Sequence, residues 1–255
     1  LRGLVGSEMC IRDRANPAAA AQAAAGMANA APEVAGDVAG AMMEVAMAPD
    51  FAAEYAENVA AANPDLSFED LESLAGNFAG NAVGAIAQGM ATGDPDIATD
   101  MAGVMMDVAM DNPDMAGDFV GEIAGGMAVG APQAAGEIAV GMMESNPEMA
   151  GDIAGGAAAG NPQVAAGVAM EMVGADPTLI NDIAGGVAEG APATAGAVVG
   201  AMVSDNPDAA AGVIDAAMTA NPAAAGAVAG GVLAAVPDGE AAIGTVSYTH
   251  LRAHE

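Results

Sequence analysis

Between Ala15 and Thr245 the chain contains no lysine, arginine, histidine, cysteine or tryptophan. Without lysine or arginine nothing can neutralise a phosphate backbone, which excludes nucleic-acid binding and attraction to anionic lipid. Without histidine, cysteine or lysine there is no imidazole base, thiolate nucleophile, Schiff-base amine or catalytic triad. Without arginine there is no bidentate clamp for phosphate. The missing cysteines exclude disulfides and leave no sign of a redox compartment. A bilayer-spanning run of about 20 apolar residues is absent as well. Gly-x-x-x-Gly recurs at Gly36/Gly40, Gly151/Gly155, Gly196/Gly200 and Gly226/Gly230, but a proline and an acid interrupt every candidate span, so no membrane insertion is expected.

Carboxylates and small apolar residues make up what is present. Of 34 acidic residues, all but Glu8, Asp13 and Glu255 lie in this cation-free stretch, and the formal net charge is −30. Acidic chains poor in aromatics are often disordered. Here 54% of the residues are hydrophobic, mostly alanine with Val, Ile and Met, so a core is possible but must be built from small side chains.

Both ends differ in kind from this stretch. Residues Met9 to Asp13 (Met-Cys-Ile-Arg-Asp) can be encoded ATG TGT ATA AGA GAC, whose reverse complement, GTC TCT TAT ACA CAT, reads Val-Ser-Tyr-Thr-His, the residues at Val246 to His250. Unrelated termini have no reason to be reverse complements, whereas inverted adapters flanking an insert have that relation by construction. Ser7–Arg14 and Val246–Glu255 therefore resemble translated sequencing-adapter DNA. The resemblance implies adapter-derived segments at 1–14 and 246–255, with an internal fragment of a longer acidic repeat protein between them. No family resemblance attaches to the repeat itself.

Prolines stand at 132, 147, 162, 177, 192, 207, 222 and 237, each 15 residues after the last. Internal repetition of this kind decides the fold class before any local reading. Asn or Asp usually precedes the proline, as in "NPEMAGDIAGGAAAG" from Asn146, and this pair suits a helix N-cap followed by the first helical position. With proline as position 1 and 100° per residue, positions 4, 7 and 11 form a narrow apolar stripe, flanked by 3 and 8. Position 7 is Ile138, Ile153, Val168, Ile183, Val198, Val213 and Val228. Acids such as Glu137, Glu144, Glu148, Asp152, Asp182, Glu189, Asp208 and Asp215 fall opposite, at positions 2, 6, 9 and 13. The pattern predicts amphipathic helices of about 11 residues, roughly 16 Å long. Helices this short are marginal alone, and links of three or four residues force neighbours to lie antiparallel. The expected fold is an all-α solenoid of short antiparallel helices with a 15-residue repeat, paired to 30 residues.

Residues 15–131 carry irregular repeats and 132–245 regular ones. In the 31-residue interval from Pro64 to Pro95, Ser67-Phe68-Glu69-Asp70 resembles a capping box ahead of a longer helix to about Thr92. The aromatics of the cation-free stretch, Phe51, Tyr55, Phe68, Phe78 and Phe119, all lie in the irregular part. Tyr55 and Phe119 take position 7, so they read as core rather than as a binding patch. Mid-helix glycines cost about 1 kcal/mol each against alanine. Gly155-Gly156, Gly185-Gly186 and Gly230-Gly231 thus imply close helix packing, with methionine filling the gaps between layers.

Carboxylate pairs are the one catalytic resource left, and these acids line exposed helix faces rather than a cleft, so no enzyme is expected. Calcium is the stronger chemical alternative, because Asp94, Asp96 and Asp100, and again Asp111, Asp114 and Asp118, cluster at interhelix turns. No EF-hand spacing accompanies them, and capping of solvated turns explains them as well. Ice binding through flat Ala/Gly/Thr faces is weakened by sparse threonine at 178, 194 and 219. The expected function is a structural or protein-interaction repeat module, extracellular or at a cell surface in salt-rich surroundings, with self-association through the array ends.

Overall fold

The computed structural model describes residues 17–48, Ala53, Glu57, 67–113 and 115–236. The two terminal segments, Phe51, Tyr55, Asp114 and Pro237 lie outside the described residues. Among the described residues the chain is an all-α helical repeat with no strand. It divides into two compact units, Leu1–Ala131 and Pro132–Glu255. The first holds α1 (Pro17–Ala30), α2 (Ala35–Met47), α3 (Phe68–Gly93), α4 (Ala98–Met110) and α5 (Ala116–Gly130). The second holds α6 (Ala135–Ser145), α7 (Ala150–Gly160), α8 (Ala165–Ala175), α9 (Ile180–Gly190), α10 (Pro192–Asp205), α11 (Ala210–Ala220) and α12 (Ala225–Ala235).

The 15-residue period is a helix plus the shortest link that reverses it. Position 15, the residue before each proline and Asn or Asp at most junctions, leaves the helical region, with φ −139° and ψ 96° at Asp176. Its N–H still donates to the helix behind, Asp176 N to Met172 O at 2.9 Å, while its carboxylate starts the next turn by accepting from Thr178 N at 2.9 Å. Asn161 and Asn221 accept in the same way from Gln163 N at 3.2 Å and Ala223 N at 3.1 Å. Asn221 also donates through Nδ2 to Ala188 O on α9, at 2.9 Å.

Proline does not open the α-helix directly at most junctions. Pro147–Met149, Pro177–Leu179, Pro207–Ala209 and Pro222–Ala224 form a single 3-10 turn, and the α-helix starts at position 4. In the second unit α10 runs unbroken from its proline, as α1 does from Pro17 in the first. The tighter turn needs fewer residues to reverse the chain, which fits a four-residue link.

Position 7 is buried throughout the regular units, no residue more than 3% exposed. Position 11 (Met142, Ala157, Met172, Val187, Met202, Ala217, Val232) is sealed as completely. The buried arc is wider than a single stripe, since Met143, Ala158, Val173, Ala188 and Val203 at position 12 are also buried. Within this unit each helix packs both on the next in the chain and on the helix two along, so one narrow seam cannot serve both contacts. Methionine supplies bulk that alanine lacks: Met142, Met143 and Met172 are among the largest fully buried side chains here, as are Met43, Met90, Met101, Met105, Met106 and Met127 in the first unit.

The contact between helices two apart follows one rule. Positions 5 and 9 of the earlier helix face positions 6, 10 and 14 of the later one. Gly151 and Gly155 of α7 lie against Asp182, Gly186 and Gly190 of α9, and Gly196 and Gly200 of α10 against Ala227, Gly231 and Ala235 of α12. The pairs ascend together, so helices two apart run parallel. A Cβ added at Gly155 would stand 2.7 Å from the Gly186 carbonyl oxygen, and one at Gly186, Gly190, Gly196 or Gly231 would overlap the facing backbone. The backbones thus approach as closely as Cα–H···O=C contact allows. Where position 10 is large the helices stand off: Glu171 of α8 lies over Gly136 of α6, and that pair packs less extensively than α7 with α9.

The longer helices of the first unit keep the rule. Gly36 and Gly40 of α2 receive Val104 and Val108 of α4, while Gly126 and Gly130 of α5 press on the Gly84 and Gln88 carbonyls of α3. The capping box starts α3, with Ser67 Oγ accepting from Asp70 N at 3.2 Å and Asp70 Oδ2 accepting from Ser67 N at 3.1 Å. Phe78 and Phe119 are buried.

Candidate functional site

Among the described residues no polar or charged residue is buried. Acids at positions 2, 6, 9 and 13 are held outward by the apolar arc behind them, and the chemistry of the surface is that of solvated carboxylates. The suggested calcium ligands sit at two turns. Asp94 follows α3, its N–H donating to Met90 O at 3.1 Å and its carboxylate accepting from Asp96 N at 3.2 Å. Asp96 is in the turn Pro95–Ile97, and Asp100 is in the first turn of α4. Asp111 follows α4, Asp118 lies in the first turn of α5, and Asp114 is outside the described residues. No three His, Cys, Asp or Glu residues converge among the described residues in a way that could hold a metal ion. The turn geometry makes Asp94 a cap of the turn that follows it.

Two exposed carboxylates are held below their ordinary pKa. The side chain and backbone N–H of Thr178 donate to Asp176, and those of Ser67 donate to Asp70, favouring the ionised form in each case.

Among the described residues Glu122 is the acid shifted the other way. Its side chain is exposed overall, but its carboxylate lies on the bare face of α3 between Gly80 and Gly84, with Oε2 2.9 Å from where a Gly84 Cβ would be. Desolvation there, reinforced by Asp118 one turn back, pushes its carboxyl up. Its separate environment was not singled out from sequence, although the signal exists: Glu122 stands in line with Gly126 and Gly130, the residues that bring α5 onto α3. Glu122→Gln is expected to stabilise the fold at pH 7, by roughly 0.5 kcal/mol or less because water still reaches the carboxylate. The gain should shrink as pH falls through the raised pKa, and thermal melts of both proteins from pH 7 to pH 5 check it.

Comparison with protein-family models, curated proteins and solved structures finds no match to this chain. No helix among the described residues is long and apolar enough to cross a membrane.

Proposed function

We propose that this chain is a non-catalytic structural repeat module, an α-solenoid whose surfaces serve protein interaction. The observation that carries this reading is the packing rule: the same two helix faces meet at successive junctions within each unit, while the acids project outward. Such an array provides shape, length and repeated surface. It does not gather groups for chemistry, and the repulsive acidic exterior suits an extracellular or cell-surface setting rich in salt.

Because each unit contacts mainly its neighbours, stability should be close to a sum over units and interfaces. Deleting residues 162–191 removes two whole repeats and joins Asn161 to Pro192, which preserves the Asn-Pro link. It also sets Gly151 and Gly155 against Gly212, Ala216 and Ala220, all small. The shortened chain should keep its helicity per residue and melt cooperatively a few degrees lower, as read by circular dichroism. Loss of helical signal would refute the array.

Calcium binding makes the competing expectation. Titration of the metal-stripped protein with calcium to millimolar concentration should give no heat beyond dilution; saturable heat lost on Asp94→Asn or Asp118→Asn would favour a ligand-binding surface instead.

A further inference from the structure

Within the second unit, helices two apart stack in two columns, α7–α9–α11 and α6–α8–α10–α12. The residues at positions 9 and 10 decide how closely each pair stacks. Gly155 and Gly186 bring α7 and α9 together backbone to backbone, and Gly200 and Gly231 do the same for α10 and α12. In α8 these positions are Met170 and Glu171, and α6 offers Val140 at position 9. The Glu171 carboxylate covers Gly136, so a side chain stands where the tight pairs have a backbone. On its other side, α8 with α10 is the least extensively packed of the pairs two apart in this unit.

Glycines further along α8 do not restore the contact. Glu122 holds the same position 10 of α5, but there Gly126 and Gly130 press on α3 one and two turns on. α8 has Ala175 at position 14 instead, and among the described residues nothing lies within 4 Å of where Cβ atoms on its own Gly167 and Gly174 would be. Ala166, Gly167, Gly174 and Ala175 are all exposed. α9 is held differently: it packs closely on both α7 and α11, and Asn221, before the turn into α12, donates to its Ala188 carbonyl at 2.9 Å.

We infer that α8 is a soft joint of the second unit, at which one column opens while the other stays closed through α9. Opening α8 separates side chains only; no backbone seam of the kind at Gly155 and Gly186 has to part. Segments held by few close contacts open at less free energy than the whole fold. The non-helical residues on either side of α8, Asn161 and Asp176, are the places where the chain can turn. Such a joint gives a structural array compliance without loss of its helices. The inference rests on the reading of the chain as such an array.

Native-state hydrogen exchange of the full chain in low denaturant, read by mass spectrometry, tests it. Amides 169–175 of α8 should exchange about tenfold or more faster than those of the last two turns of α9 and α10, at a rate that hardly responds to denaturant, as local opening requires. Glu171→Ser shortens the group over Gly136 without raising helix propensity and should slow exchange in α8 about threefold. Glu171→Gln keeps the bulk and should leave the rate unchanged; melting curves check that both variants fold. Equal protection of α8 and α9, exchange in α8 that accelerates with denaturant as that in α9 does, a Glu171→Ser variant that exchanges as the wild type does, or a Glu171→Gln variant as slow as Glu171→Ser would each overturn the joint. Those results leave the array reading standing if the 162–191 deletion folds; an unfolded deletion chain removes the array itself.

Discussion

Gly186→Ala is expected to destabilise the second unit by about 3 kcal/mol or more, while Gly230→Ala, the same substitution at mid-helix in the same unit, is expected to stabilise it by up to about 1 kcal/mol. At Gly186 the new methyl would land on the carbonyl group of Gly151. That atom belongs to a helix backbone and cannot rotate away, so α7 and α9 must separate, and the dense packing along their length is lost with them. At Gly230 the methyl enters open space among the described residues and only removes conformational freedom from the unfolded chain. For a chain this long the two changes correspond to roughly −10 °C and +3 °C in melting temperature. Gly190→Ala should follow Gly186→Ala, and Gly174→Ala, also in open space among the described residues, should follow Gly230→Ala. Thermal denaturation of the four variants reads the result. Four equal shifts, of either sign, would mean that the glycines do not mark helix contacts.

How far these features were legible in the sequence depended on whether they recur locally. The helices, their outward acids and the position 7 core follow from proline spacing and a 3.6-residue period, which need no tertiary information. The capping box at Ser67 and the long helix behind it were equally local. Which glycine of each Gly-Gly pair matters was not legible, because Gly155, Gly186 and Gly231 touch another helix while Gly230 does not, and that difference lies in the partner. Position 12 escaped the narrow-stripe reading for the same reason: a helix with neighbours in its own row and in the facing row buries a broader arc. The turn aspartates were found as a pattern, but the bond from Asp96 N to Asp94 depends on side-chain geometry that spacing alone does not give. Glu122 was seen only as another outward acid, because its shelter comes from Gly80 and Gly84, some forty residues earlier in the chain.

Stability at neutral pH should rise steeply with salt. Between Ala15 and Thr245 every formal charge is negative, so folding concentrates like charges without forming a single internal ion pair in that stretch. Like-charge neighbours on a helix cost about 0.2–0.5 kcal/mol each, and some thirty carboxylates on short helices accumulate roughly 5 kcal/mol of repulsion at low salt. Raising NaCl from about 0.01 M to 1 M shortens the screening length from about 30 Å to 3 Å, and the melting temperature should rise by roughly 10–20 °C. Mild acid should act with the same sign. Glu122, with a raised folded pKa, adds stability as pH falls through that value. Asp70 and Asp176 oppose this, since their folded pKa values are lowered and their contribution is lost as pH falls through them, but that happens only below about pH 4. Melts at low salt should therefore climb slightly from pH 7 toward about pH 4.5, through Glu122, and turn down below. A melting temperature that falls on acidification from pH 7 to pH 5 at low salt would require cationic partners for these carboxylates, which no residue between Ala15 and Thr245 can supply.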